Sequence, residues 1–446
     1  MPDYADIFVI GTGPSGMAAA RTARMARPEL SVTAIRREQS YVPCALPYAL
    51  GGVIEVDSYL KNEGKLLSEI GITALQGEVR RILPRDKEVV LDGGSTFSYG
   101  KLIVATGAEP VRLPLPETSA ENVFTLRTPA DVRSILGLRR PHMRVSVVGG
   151  GYIGIEVACM MRLAGDEVAL VEMMDRLMPR TLTPEFSKMA GEKMMEAGIA
   201  VHLGVGVKRF TTGNDGRVDG LVLADGACIP ADLIIQAAGV RPRLALFEEA
   251  AIDTKPDGVV VDEMMRTSAP DIYACGDCTH FHCFVTHEPV QGKLATNGIF
   301  QGKAAALNAV GKNRAFEGFI NACSTDIFGL CIGAVGVREE DAKAAGIETV
   351  SGTGASTDAY PMFKESHEVT VKLVFSRQAQ QIIGGQVAGT SAVAERIDLI
   401  ALAIRQKLKA ADLVRLNHCA HPVQSGVPAH NPIIMAAEDA LRKLVM

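Results

Sequence analysis

No apolar run in this 446-residue chain reaches the ~18 residues that a membrane-spanning helix needs, so no span is expected. An excess of basic residues is also missing. The 46 lysines and arginines are outnumbered by 51 aspartates and glutamates, a net charge of −5, which argues against nucleic acid or an anionic membrane surface as partner. Heptad runs, low-complexity tracts and short repeats are absent. The nine cysteines lack the regular spacing of a disulfide framework and read as thiols. "MPDYADIFVIG" enters a strand-like segment without a basic and apolar preamble, which suits a cytoplasmic protein. A last absence is local. "SYVPCALPY" at residues 40–48 puts Cys44 directly after Pro43, yet the next cysteine in the chain is Cys159. A thiol that passes electrons usually has a second cysteine a few residues away. This one is therefore either a small buried hydrophobe or a nucleophile that works alone.

What is present is a composition with ample core, 47% hydrophobic and 22% charged, in a chain long enough for two or three domains. Its clearest feature is a repeated turn. "IFVIGTGPSGMAAARTARMA" is an apolar strand, then Gly11, Gly13 and Gly16 in G-x-G-x-x-G spacing, then a helical pattern. "RVSVVGGGYIGIEVACMMRLAGDEVALVE" repeats the scheme with Gly149, Gly151 and Gly154, and its second strand ends in Glu172. Glycines at this spacing make a tight turn and let the backbone approach a pyrophosphate, which then sits at a helix N-terminus. Two such fingerprints about 140 residues apart predict two dinucleotide sites.

Other apolar runs stop at small-residue turns, where ligands meet the carboxyl ends of parallel strands. "KLIVATGAEP" runs into Ala105-Thr106-Gly107, "DLIIQAAGVRPR" ends at Gly239, and "APDIYACGDCTH" ends at Gly276-Asp277. Beyond residue 325 the pattern changes. "VTVKLVFSRQAQQIIGGQVAG" alternates as an antiparallel hairpin does, and "AVAERIDLIALAIRQKL" has the period of an amphipathic helix. The expected fold class is α/β: two Rossmann-like dinucleotide-binding domains followed by an α+β domain.

On these residues the chain resembles the FAD-dependent pyridine nucleotide–disulfide oxidoreductases over essentially its whole length. The resemblance rests on "GTGPSG", "ATG" at 105–107, "GGGYIGIE" and "YACGDC". It implies an FAD domain split around an inserted NAD domain, at 1–115 and 246–324 around 116–245, and a dimerisation domain at 325–446. "SYVPCALPY" is similar to the single-cysteine branch, which includes coenzyme A-disulfide reductases, NADH oxidases and peroxidases, and persulfide and polysulfide reductases. In that branch the lone thiolate attacks a substrate sulfur and holds one half as a mixed disulfide, until reduced flavin resolves it. The resemblance implies FAD contacts from Gly11, Gly13, Pro14, Ser15, Gly16, Arg36, Ser40, Val79, Ala105, Thr106, Gly107, Gly276, Asp277 and Ala295. It implies NADH contacts from Gly149, Gly151, Tyr152, Ile153, Gly154, Glu172 and Gly239. NADH is expected in preference to NADPH because a carboxylate at Glu172 repels a 2′-phosphate, an effect that the nearby Arg176 would blunt.

Cys44 is thus the expected catalytic thiol, and "CALPYAL" is expected to open a helix that lowers its pKa. In a homodimer His421-Pro422 and Cys419, in "NHCAHPVQS", either reach the site of the partner subunit, as the resemblance implies, or are structural, Gly426 standing where the family's assisting Glu would be. The reaction expected is NADH-dependent reduction of a small disulfide, persulfide or polysulfide, possible substrates including coenzyme A derivatives, through Cys44 as the single redox-active cysteine. The alternatives are an NADH oxidase and, in another class, an electron-transfer subunit of a larger complex. Departures from the pattern bear on the choice. Pro14 stands where the oxidases and peroxidases carry a His. Thr22, Met25 and Pro43 stand where coenzyme A reductases have polar groups, while Arg21, Arg24, Arg36 and Arg37 form either a phosphate-binding group or a solvated face. The cluster Cys275, Cys278, His280, His282 and Cys283 tempts a metal reading, but it overlaps the flavin motif and lacks a second C-x-x-C, so no metal is expected.

Overall fold

The computed structural model describes residues 3–38, 43–58, 60 and 63–445; Ser40 lies outside the described residues. The chain divides into two compact units, one of Met1–Pro43, Asp57–Pro110 and Val240–Phe319, the other of Cys44–Val56, Val111–Gly239 and Ile320–Met446.

The first unit is built on a seven-stranded sheet. Its middle is parallel: Thr73–Gln76, Val32–Arg36, Tyr4–Ile10 and Thr96–Val104 lie in that order. Tyr4–Ile10 is buried on both faces over its second half, as a central parallel strand must be, which explains the apolar run at residues 7–10. Thr96–Val104 changes neighbour along its length. Its first half pairs antiparallel with Glu88–Leu91, and its second half pairs in parallel with Ile272–Ala274. Helices Pro14–Ala26 and Ala295–Ala309 cross closely because small residues meet at the crossing. A Cβ on Gly302 would come within 2.2 Å of the Ser15 carbonyl oxygen.

The second unit holds another parallel sheet, in the order Ala200–Leu203, Glu167–Glu172, Arg144–Val148, Leu233–Gln236 and Val123–Thr125. It also holds a five-stranded antiparallel sheet from the end of the chain, ordered Cys323–Ile327, Leu330–Gly336, Ile382–Gly389, Glu368–Ser376 and Thr349–Thr357. The expected hairpin is its Glu368–Ser376 and Ile382–Gly389 pair, and the expected amphipathic helix is Val393–Arg405. Helix Pro432–Val445 lies so near strand Thr349–Thr357 that a Cβ on Gly352 would meet the Ala436 carbonyl oxygen at 1.9 Å. Polar contacts tie the two sheets' domains together inside this unit. The Lys372 ammonium, nearly buried, bonds to both Glu185 and Glu339 at 2.6 Å, and Thr183 N–H donates to Gln386 Oε1 at 3.1 Å. The observed class is the expected one, two Rossmann-like sheets and a C-terminal α+β domain. Among the described residues no helix is long and apolar enough to cross a membrane.

Candidate active site

In the first unit three turns emerge side by side. Ile10 pairs with Val104, and Val104 with Ala274, so the turns that follow these residues leave one edge of the sheet together. Backbone bonds lace them: Ala105 N–H to Ile10 O at 2.8 Å, and Cys275 N–H to Val104 O at 3.1 Å. Gly11–Gly16, Ala105–Gly107 and Gly276-Asp277 thus lie side by side beyond the ends of neighbouring strands. Ala295 opens the helix Ala295–Ala309. Arg36 ends its strand at the same sheet edge and accepts on its carbonyl from Gly77 N–H at 2.9 Å, with buried Val79 two residues on.

The glycines of the first turn divide into two kinds. A Cβ on Gly11, whose φ is +94°, would meet the Ala105 carbonyl oxygen at 2.4 Å, and one on Gly16 would meet the Gly11 carbonyl oxygen at 1.9 Å. These two close the turn upon itself. Gly13 differs: a Cβ there meets nothing within 4 Å, and its φ of −61° suits any residue. Space is thus kept at the N-terminus of helix Pro14–Ala26, where a pyrophosphate fits.

The second unit repeats the device. A Cβ on Gly149 would meet the Ala237 carbonyl oxygen at 2.3 Å, one on Gly154 the Gly149 carbonyl oxygen at 1.8 Å, and one on Gly151 nothing within 4 Å. Glu172 is buried beside this turn. Its Oε2 accepts from Gly150 N–H at 2.7 Å and its Oε1 from Met174 N–H at 2.8 Å, so the carboxylate is held in place at the strand's end. Gly239, with φ +99°, ends the neighbouring strand-to-turn segment. Ile153 is exposed, but Tyr152 is turned inward: its hydroxyl lies 2.7 Å from Cys323 Sγ, and burial pushes its pKa well up.

Cys44 is exposed in the 3-10 turn Pro43–Ala45. The expected helix opens later and is short, Leu46–Leu50, so only a small dipole acts on the thiol. That helix packs on Tyr152–Leu163, where a Cβ on Gly51 would meet Met160 Sδ at 3.0 Å. Cys159 is on the same supporting helix, fully buried, with its thiol pushed by that burial to about 12. His421 and Cys419 are exposed. The His421-Pro422 turn is pinned by Ser425 Oγ, which accepts from His421 N–H at 3.0 Å, and by Tyr360 N–H donating to Pro422 O at 2.8 Å.

Other groupings dissolve in the structure. Cys275 and Cys278 are fully buried, their thiols pushed up by desolvation, and His280 bonds to Asp257 at 2.8 Å instead of facing them. Arg24 donates to the carbonyls of Pro28, Leu30 and Ile70, and Arg37 pairs with Glu38 and Glu78, so neither is spared for a phosphate.

Four residues near these turns or the Cys44 segment were not anticipated. Buried Gln301 accepts from Gly276 N–H at 2.8 Å and from Thr279 Oγ at 3.2 Å, and so sets the third turn. The available signal was three amides, Asn297, Gln301 and Asn308, on the buried side of an alanine-rich helix. Lys293 lies within electrostatic reach of Asp277 and Asp257, and burial holds its pKa below the usual value. Glu156 accepts from Thr325 Oγ at 3.2 Å, and burial pushes its carboxyl up to about 7. Tyr48, raised by desolvation, faces Glu156 and Asp326 from the Cys44 segment.

Comparison with known proteins decides what these paired turns belong to. The family model described as pyridine nucleotide-disulphide oxidoreductase matches residues 5–302, and that of the family's dimerisation domain matches residues 324–432. The chain belongs to this family. An NADH oxidase of Methanocaldococcus jannaschii is 31% identical over 98% of this chain and 99% of its own length. An NAD(P)H coenzyme A polysulfide/persulfide reductase of Pyrococcus horikoshii is 26% identical over 89% of each. The structure of an NAD-dependent persulfide reductase from A. fulgidus superposes with a TM-score of 0.92 at 29% identity, covering 98% of this chain and 83% of that one. The chain is an NAD(P)H-dependent oxidoreductase with FAD and NADH as cofactors.

Proposed function

We propose that this oxidoreductase uses NADH to reduce a small persulfide, polysulfide or disulfide through Cys44. One observation supports this most: the exposed thiol of Cys44 stands beside a supporting helix whose cysteine, Cys159, is buried and protonated. Cys331, also within electrostatic reach of Tyr48, is pushed up to about 11, so among the described residues neither neighbouring thiol is a ready second nucleophile and the partner sulfur comes from the substrate. The Cys44 thiolate attacks the substrate S–S bond. A mixed disulfide forms, and the first thiolate or sulfide leaves. Two-electron reduction of the mixed disulfide then releases the second thiolate and restores Cys44. FAD, when bound, supplies those electrons by accepting a hydride from NADH. Gly13 and the turns at Thr106 and Gly276 would hold the flavin nucleotide, and Gly151 and Glu172 the nicotinamide nucleotide, with the Glu172 carboxylate accepting from a ribose 2′-hydroxyl.

The match to the dimerisation domain supports a homodimer in which His421 and Cys419 serve the partner's site. A second reading has oxygen as acceptor, and the 31% identity to an NADH oxidase supports it. Pro14 weighs against that reading, since it stands where the resemblance puts a His in the oxidases. Steady-state NADH oxidation with coenzyme A disulfide, coenzyme A persulfide, polysulfide and oxygen separates the two. The proposal expects catalytic efficiency at least tenfold higher with one sulfur acceptor than with oxygen. Oxygen in the lead would overturn it.

A further inference from the structure

The turn after Glu172 carries two residues of opposite preference. Glu172 favours a ribose 2′-hydroxyl, whereas an arginine in such a turn accommodates a 2′-phosphate. Arg176 lies four residues on. Its guanidinium, however, is committed elsewhere: Nη2 donates to Glu340 Oε1 at 2.5 Å and to Pro179 O at 3.3 Å, and Nη1 to Asp175 Oδ1 at 3.3 Å. It makes no bond to Glu172. Glu340 belongs to helix Glu339–Ala344 of the C-terminal domain, 164 residues away in sequence. The Arg176 side chain is 18% exposed, and its Nε is buried with no hydrogen-bond partner among the described residues. Its hydrogen-bonding capacity is therefore not exhausted.

Glu340 is more necessary to Arg176 than to its other neighbour. Arg338 also contacts the Glu340 carboxylate, but it keeps Asp341, through Nε at 2.8 Å and Nη2 at 2.7 Å. Without Glu340, Arg176 would retain only the exposed Asp175 and a long carbonyl contact.

We propose that Glu340 is a positioning residue for nucleotide choice: by engaging Arg176 it withholds the guanidinium from a 2′-phosphate and so preserves the preference for NADH that Glu172 sets. The proposal rests on the assignment of the Gly149–Glu172 turn to the adenosine ribose.

The test compares the FAD-loaded enzyme with its Glu340→Gln, Glu340→Lys, Arg176→Ala and Glu340→Gln/Arg176→Ala variants. Binding of 2′,5′-ADP is measured by calorimetry, and kcat/KM for NADPH and NADH is measured with an artificial dye as acceptor. Releasing one charge-assisted contact should tighten 2′,5′-ADP binding and raise kcat/KM for NADPH by roughly tenfold, with NADH changed less than about twofold. Glu340→Lys, which repels the guanidinium, should gain at least as much, and Arg176→Ala should cancel the gain. Unchanged 2′,5′-ADP affinity in both Glu340 variants, or a gain that survives loss of Arg176, would overturn the proposal. Glu172→Gln distinguishes the underlying assignment. If it leaves the NADH-to-NADPH ratio unmoved, the ribose assignment itself fails, and the proposal with it.

Discussion

Glu156 shows how one side chain in this site is set by its surroundings. It sits on helix Tyr152–Leu163 against strand Cys323–Ile327, and desolvation there outweighs the Thr325 hydrogen bond, raising its carboxyl from 4.5 to about 7. Its neighbours Tyr48 and Cys159 have raised pKa values, the latter about 12, and stay neutral through the same window. The sign of the linkage follows. Between 4.5 and about 7 the folded chain holds a proton that the unfolded chain has lost, so this group's contribution is full below 4.5 and falls away as pH rises through 7. The loss is on the order of 3 kcal/mol at most. Glu156→Gln removes it. The variant's melting temperature relative to the parent should therefore be higher at pH 8 than at pH 5. Parallel melting curves at the two pH values would mean that Glu156 ionises as an ordinary exposed glutamate does.

The glycine turn is the element on which both nucleotide sites depend, and its two kinds of glycine make separable predictions. Gly16→Ala and Gly154→Ala force a Cβ against a carbonyl oxygen at 1.9 and 1.8 Å, so they should lower folded yield and stability. Gly13→Ala and Gly151→Ala meet open space with an ordinary φ and should leave the fold intact. They should instead weaken nucleotide binding, FAD retention for Gly13→Ala and KM for NADH for Gly151→Ala, each about tenfold or more. Flavin content, melting temperature and KM check this together, and a Gly151→Ala enzyme with normal KM would remove the pyrophosphate from that turn. These turns were legible in the sequence because the motif is local: strand, three glycines and helix follow within about 30 residues. The surroundings of Tyr152 and Glu156 were not. Their partners Cys323 and Thr325 lie 171 and 169 residues away, and nothing in "GGGYIGIE" points to them. The helix expected to open at "CALPYAL" begins two residues on, at Leu46, after a 3-10 turn. "LPYAL" is apolar throughout, but its Gly51-Gly52 ending stops it after five residues.

At the scale of the whole molecule, each of the two units carries one glycine-rich nucleotide turn, and Cys44 is one of three exposed cysteines among the described residues, with Cys228 and Cys419. The dimerisation-domain match predicts a stable homodimer, and the proposed function adds that its two sites are composite. Sedimentation should show a dimer, and an active monomer would contradict it. Mixed dimers of Cys44→Ser and His421→Ala subunits should regain up to one working site only if His421 acts across the interface. Fully inactive mixed dimers would confine His421 to its own subunit. The central claim is that Cys44 carries the sulfur chemistry while the nucleotide sites stand independently of it. Its most direct measurement is turnover by Cys44→Ser enzyme, run in parallel with a sulfur acceptor and with an artificial dye. A serine hydroxyl is scarcely ionised at neutral pH and cannot form a mixed disulfide. The account predicts that the variant keeps its FAD and its dye reduction by NADH, while persulfide, polysulfide or disulfide turnover falls at least ~1,000-fold. Loss of only a few-fold in sulfur turnover would contradict it and make Cys44 a structural residue.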